Sequence, residues 1–158
     1  MDADFSTLFN REIANSTILI QELIFDVSIE LAECGIPAKW SKVNSIDGYY
    51  FSLLDPNNKK NEITFGVWNE LWSETGYPLC ISFDLKSFTV EEMIISLTDF
   101  IETNHIKGLE IIEKSDIVSI CFSMAYLIEI KYAKEIVALL VELIQRFGFL
   151  FGIVRKKW

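Results

Sequence analysis

From Glu12 to Glu33 the apolar residues Ile13, Ile20, Leu23, Ile24, Val27 and Leu31 recur at helical spacing, and Gln21, Glu22, Asp26 and Glu30 fill much of the opposite side. This is the pattern of a helix with one buried face. Cys34-Gly35 predicts its end, since glycine takes the left-handed cap conformation at little cost, and Pro37 prevents resumption. The pattern then changes period. Tyr49, Phe51 and Leu53 alternate with Tyr50, Ser52 and Leu54, and Ile63, Phe65 and Val67 alternate with Thr64 and Gly66. The polar connection DPNNKKN between them predicts a β-hairpin. After Pro78, Leu79, Ile81 and Phe83 predict a third strand, with Ser82 and Asp84 on its polar side.

A second helix is expected from Val90 to Asn104. Thr89 and Glu92 have the spacing of a capping box, and Phe88 before the cap is placed to staple Met93. Val90, Met93, Ile94, Leu97 and Ile101 form its apolar face. Ile117 to Tyr126 reads as a strand, with Val118, Ile120, Phe122 and Met124 on one side and the smaller Ser119, Cys121, Ser123 and Ala125 on the other. Small residues along one side imply a second layer held close. A last helix runs from about Tyr132 to Phe147, burying Ala133, Val137, Leu140 and Ile144 and stopping at Gly148. The tail FLFGIVRKKW has the alternation of an edge strand. These elements predict a single α+β domain over residues 1–158: a mainly antiparallel sheet of about four to five strands with three main helices packed on it.

Composition narrows the function classes. The chain has 158 residues, 51% of them hydrophobic, which is enough for a substantial core. A net charge of −9, with Lys59-Lys60 and Arg155-Lys156-Lys157 as the only basic runs, argues against direct nucleic-acid binding and suits either simple solubility, the first reading of such a charge, or a partner with a basic surface. Cys34, Cys80 and Cys121 form no CxxC pair or disulfide framework. The first residues, MDADFSTLFNRE, lack the basic segment of a secretory signal, and no apolar run approaches the length of a membrane helix. The expectation is a cytoplasmic protein that does not enter membranes.

Chemistry offers few candidates. His105 is the sole histidine and follows the end of the second helix, where an imidazole commonly serves the helix dipole. No zinc-ligand spacing and no phosphate-binding glycine loop occurs. Carboxylates are more informative. Asp84-Leu85-Lys86 follows the third strand, with Glu62 opening the second strand and Asp47 preceding the first. With a helix, three strands, a helix and a strand in that order, this arrangement resembles the PD-(D/E)XK nuclease core. The resemblance implies Mg2+ held by Asp84 with Glu62 or Asp47, and Lys86 orienting or activating the attacking water. It rests on element order and these few residues. Lys86 falls directly before the helix entry Ser87-Phe88-Thr89, the upstream acid is not in a Pro-Asp pair, and no basic groove is evident. A nuclease, or a catalytically inactive relative of that fold, is therefore the alternative reading.

The segment FGVWNELWSETGYP is the second candidate. Trp68, Leu71 and Trp72 stand at i, i+3 and i+4 and are expected on one face of a short helix, with Glu70 and Glu74 projecting elsewhere and Gly76 as the cap. Buried tryptophans closing one end of the sheet, with an acidic edge open to a partner, is the structural expectation. The leading functional expectation is a non-enzymatic protein that needs no cofactor and acts by protein binding, as an immunity, antitoxin-like or anti-defence inhibitor. Its candidate interface is Trp68, Glu70, Trp72 and Glu74. A third reading is a homodimer or structural subunit joined through the apolar tail Phe149 to Trp158.

Overall fold

The structure, a computed structural model, describes residues 3–40, 48–123 and 133–149, with side chains from residue 18 onward. In chain order its elements are α1 (Ala3–Glu33), β1 (Lys39–Trp40), β2 (Gly48–Leu54), β3 (Glu62–Trp68), α2 (Asn69–Thr75), β4 (Leu79–Asp84), α3 (Val90–Thr103), β5 (Leu109–Lys114), β6 (Ile117–Phe122) and α4 (Ala133–Arg146). The strands form one antiparallel sheet in the order β1-β2-β3-β4-β6-β5.

Period-2 alternation gives this sheet two unlike faces. On one side Phe51, Leu53, Ile63, Phe65, Val67, Leu79, Ile81, Phe83, Val118, Ile120 and Phe122 are buried in the main core. The helices supply the rest of it: Ile20, Ile24, Val27 and Leu31 from α1, Met93, Leu97 and Phe100 from α3, and Ile136, Val137, Leu140 and Ile144 from α4. Aromatic contacts run through this layer, from Trp40 against Phe51 at 5.4 Å to Phe51 against Phe65 at 5.5 Å and Phe83 against Phe147 at 5.4 Å. Each large side chain so buried contributes about 1.5–3 kcal/mol. This layer therefore holds the sheet in place.

The helix ends follow their sequence signals. Gly35 adopts φ 84° while Ile36 N–H reaches back to Leu31 O at 2.9 Å, a Schellman-type closure. Thr89 and Glu92 make the expected reciprocal capping box. Phe88, expected as a staple, packs edge-on against Phe147 at 5.2 Å. His105 follows the C-cap of α3, exposed and at a positive φ of 52°.

The α+β architecture agrees with the sequence expectation, the short helix before Gly76 included, with two strands to add. β1 is only two residues long. β5 was not expected because LEIIEK does not alternate cleanly and ends in a Ser115-Asp116 turn. Both turn residues have positive φ, 52° and 65°, so they make a tight hairpin turn without the usual glycine. β6 ends at Phe122, and the expected continuation to Tyr126 lies outside the described residues, as does the tail strand beyond Phe149. Phe149 itself, the first residue of the proposed dimer contact, is buried in the main core. No helix among the described residues is long and apolar enough to cross a membrane. On the outer side of α1, Ile18, Leu19, Phe25 and Ile29 are exposed.

Candidate functional site

Among the described residues the three long helices pack on the core face of the sheet, and strand register organises the other face into rows. Ser52, Thr64, Ser82 and Ser119 are successive partners across β2, β3, β4 and β6. All four are buried, with 5–8% of their surface exposed. Ser82 Oγ and Ser119 Oγ share a hydrogen bond of 2.8 Å, and Ser52 Oγ donates to Glu62 Oε1. On one side of this hydroxyl row lie Leu54, Glu62 and Asp84, with Glu62 and Asp84 as direct partners. On its other side lie Tyr50, Gly66, Cys80, Cys121 and Glu110.

A cavity of about 280 Å³ opens over this surface. Glu62, Thr64, Ser82, Asp84 and Ser119 line it from the sheet, Trp68, Glu70 and Leu71 from the β3–α2 junction, and Lys114, Ser115 and Ile117 from the β5–β6 hairpin. Among the described residues three carboxylates thus face a single ammonium group. That ammonium is already engaged, because Lys114 Nζ lies 2.9 Å from Glu70 and 2.7 Å from Glu74. The hydrogen bonds to Glu74 and Glu70 hold the Lys114 ammonium above the ordinary lysine value. The clasp ties α2 to the end of β5 and forms one side of the rim.

Trp68 corrects the expected helical face. It is the last residue of β3 and the N-cap of α2, with extended φ −108° and ψ 113°, so strand alternation turns its side chain onto the open face. There it stacks on Tyr50 at 4.1 Å and packs near Leu71, Cys80 and Cys121. Trp72 belongs to the helix and packs against the main core. The two tryptophans and Leu71 therefore do not share a face. Gly66 makes the Trp68 stack feasible. At φ 150° it lets the Tyr50 strand come so close that a Cβ would stand 2.3 Å from Tyr49 O and 2.6 Å from Tyr50 Cα. The indole Nε1 of Trp68 is buried with no hydrogen-bond partner among the described residues.

A polar network fixes the acid-bearing strand ends. In the β2–β3 loop Asp55 accepts from Asn57 N at 2.8 Å and from Asn61 Nδ2 at 3.2 Å. Asn61 Nδ2 also donates to Ser87 Oγ at 3.1 Å, while Asn61 Oδ1 accepts from Ser87 N at 3.3 Å. Asn61 precedes Glu62 and Ser87 follows Lys86, so this network holds the start of β3 against the exit from β4.

The candidate residues are thus distributed unevenly. Glu62, Asp84, Trp68 and Glu70 meet at one cavity. Glu74 joins its rim through Lys114, and Trp72 is directed into the core. Lys86 lies beyond the end of β4, paired with Asp84 at 2.7 Å, and that carboxylate raises the Lys86 ammonium above its ordinary value. Asp47 lies outside the described residues. Among the described residues no group of three His, Cys, Asp or Glu side chains is arranged to hold a metal ion. The residues that sequence reading missed are the hydroxyl row and Lys114. Each serine or threonine is visible as a polar alternate in its own strand, but their alignment depends on register between strands.

Beside the cavity, Cys80 and Cys121 are register partners and both are buried. Cys121 donates to Cys80, and this bond, reinforced by burial, holds the Cys121 proton well above the ordinary thiol range. The same bond lowers Cys80, against the opposing effect of burial. Comparison of the chain with family models, curated proteins and solved structures gives no match in any of the three.

Proposed function

We propose that this chain is a protein-binding module that engages a partner of basic surface through the open face of its sheet. The observation that carries this reading is the cavity itself. Glu62, Glu70 and Asp84 gather around it with the Trp68 ring, on the sheet face opposite the three long helices. Aromatic groups beside desolvated polar ones are the usual anchors of a protein interface, and an acidic rim steers a basic partner into it. The net charge of −9 acts in the same direction over longer distances. The concrete form of the reading is a cytoplasmic inhibitor of the immunity, antitoxin-like or anti-defence kind, which neutralises its target by occupying it. Affinity capture from the native host, followed by rebinding of the purified partner, tests this. A partner that rebinds with salt-sensitive affinity supports the proposal, and the absence of any purified partner that rebinds overturns it.

The opposed Glu62 and Asp84 carboxylates favour a second reading, metal-dependent phosphodiester hydrolysis. Mg2+ is often held by one or two carboxylates completed by water and substrate oxygens. This pair would hold such an ion, and the ion would polarise a phosphoryl oxygen there. Two features weigh against the fit: Glu62 already accepts from Ser52, and Lys86 neutralises Asp84. Thermal shift and nucleic-acid cleavage assays with Mg2+ or Mn2+ test this reading. The lack of both stabilisation and cleavage removes it.

A further inference from the structure

The cavity has a chemical character narrower than acidity. Its inner surface carries the Glu62 and Asp84 carboxylates and the hydroxyls of Thr64, Ser82 and Ser119, all acceptors suited to a multivalent donor. Thr64, 7% exposed, is part of the lining, and the buried indole Nε1 of Trp68, also in the lining, has no hydrogen-bond partner among the described residues. Leu71, Ile117 and the Trp68 ring supply apolar wall. A hydrated metal ion has no use for such walls, whereas an alkyl stem with a cationic head uses both surfaces. The volume, about 280 Å³, is just below the roughly 300 Å³ at which small-molecule sites begin. It suits one long side chain. Lys114 does not fill this role, because Glu70 and Glu74 hold it at the rim.

Resting on the protein-binding reading above, we infer that the cavity receives an arginine side chain of the partner protein. The guanidinium meets Glu62, which keeps its Ser52 hydrogen bond, and Asp84, from which it displaces the solvent-exposed Lys86, and the stem lies along Leu71, Ile117 and the Trp68 ring. Arginine suits the site better than lysine. Its planar fork has five donors to divide between two carboxylates on adjacent strands and the hydroxyl row behind them, and it stacks on aromatic faces. Net charge complementarity favours the same occupant, since among the described residues the lining holds three carboxylates and one ammonium, and the Lys86 that pairs with Asp84 is exposed and displaceable.

The test uses the full chain, 15N-labelled, titrated with Nα-acetyl-L-arginine N-methylamide and separately with the citrulline analogue, which is neutral and nearly isosteric. The inference predicts saturable shifts of the Thr64, Ser82 and Ser119 amides with the arginine compound and little response to citrulline. The double variant Glu62→Gln/Asp84→Asn lowers the arginine affinity by about tenfold or more, in line with loss of charge-assisted hydrogen bonds. Glu142→Gln, on an exposed position of α4, leaves it unchanged. Equal responses to arginine and citrulline, or no saturable shift, overturn the inference. So do shifts produced by Mg2+ alone and not by arginine, which point to the metal reading. The citrulline comparison uses only the wild-type chain, so it decides the matter even if the double variant does not fold. A purified partner that binds wild type and a folded double variant equally overturns the arginine assignment and leaves the broader binding proposal standing.

Discussion

Glu62 and Asp84 stand directly opposite each other across β3 and β4, two carboxylates placed as neighbours in an antiparallel ladder. Like charges in that relation repel. The structure offsets each separately, Glu62 with the Ser52 hydroxyl and Asp84 with Lys86. The two acids together therefore add little to stability. Glu62→Gln or Asp84→Asn alone is expected to leave the melting temperature unchanged or raised by about 1–3 °C, which calorimetry measures. A fall of several degrees in either variant would show that the pair supports the fold.

Gly66 is expected to be intolerant of any side chain. A Cβ there would collide with the backbone of Tyr49 and Tyr50, and φ 150° is itself strained for an L-residue. Gly66→Ala should cost about 3 kcal/mol or more, or prevent folding, as judged by urea unfolding. A loss below about 1 kcal/mol would mean that β2 and β3 lie farther apart than the register implies.

The capping box of α3 gives a smaller, well-defined effect. Thr89→Ala removes the acceptor for Glu92 N, a bond of 3.1 Å, and should destabilise the fold by about 1 kcal/mol in the same assay. Thr89→Ser should restore most of that loss.

Much of this architecture is visible in the chain, for a physical reason. Where one face of an element is fully buried, its period is imposed on the sequence, so Val118-Ile120-Phe122 against Ser119-Cys121 shows both the strand and its two unlike sides. β5 is less visible because it is an edge strand with only partial burial, and its Ser115-Asp116 turn lacks glycine. The place of Trp68 is not legible, because i, i+3 and i+4 spacing with Leu71 and Trp72 fits a helix as well as a strand end. The site itself was half legible. Glu62, Asp84, Trp68 and Glu70 were named from two unrelated patterns, and the structure brings them to one cavity. Lys114 and the hydroxyl row were not legible, because cross-strand register is set by loops and packing that no single segment encodes.

Alkaline pH should weaken the open face before the core. Hydrogen bonding to Glu110, then burial, raises the Tyr77 phenol, and the bonds to Glu74 and Glu70 raise the Lys114 ammonium. For both groups the folded value lies above the unfolded one. Their contribution is therefore complete below the ordinary values of about 10 and is lost as pH rises through the raised folded values. Melting temperature should decline above about pH 10 in the wild type and less steeply in Tyr77→Phe. Identical pH profiles for the two proteins would contradict this assignment.

The three cysteines give an independent check on packing. All are buried, so a thiol reagent such as Ellman's should label none rapidly in the folded protein and all three in denaturant. Rapid labelling of Cys80 or Cys121 in the folded protein would contradict the close cover of Leu71 over that pair.

The central claim, that an acidic open-face site binds a basic partner, is tested most directly by association kinetics with the purified partner. Rates are measured at about 50 mM and about 500 mM salt for the wild type and for Glu70→Lys/Glu74→Lys, which reverses the rim and releases Lys114. The account predicts a wild-type rate that falls roughly tenfold or more with salt, and a variant that associates slowly at low salt with little further dependence. Equal association rates for the two proteins at both salt concentrations would contradict it.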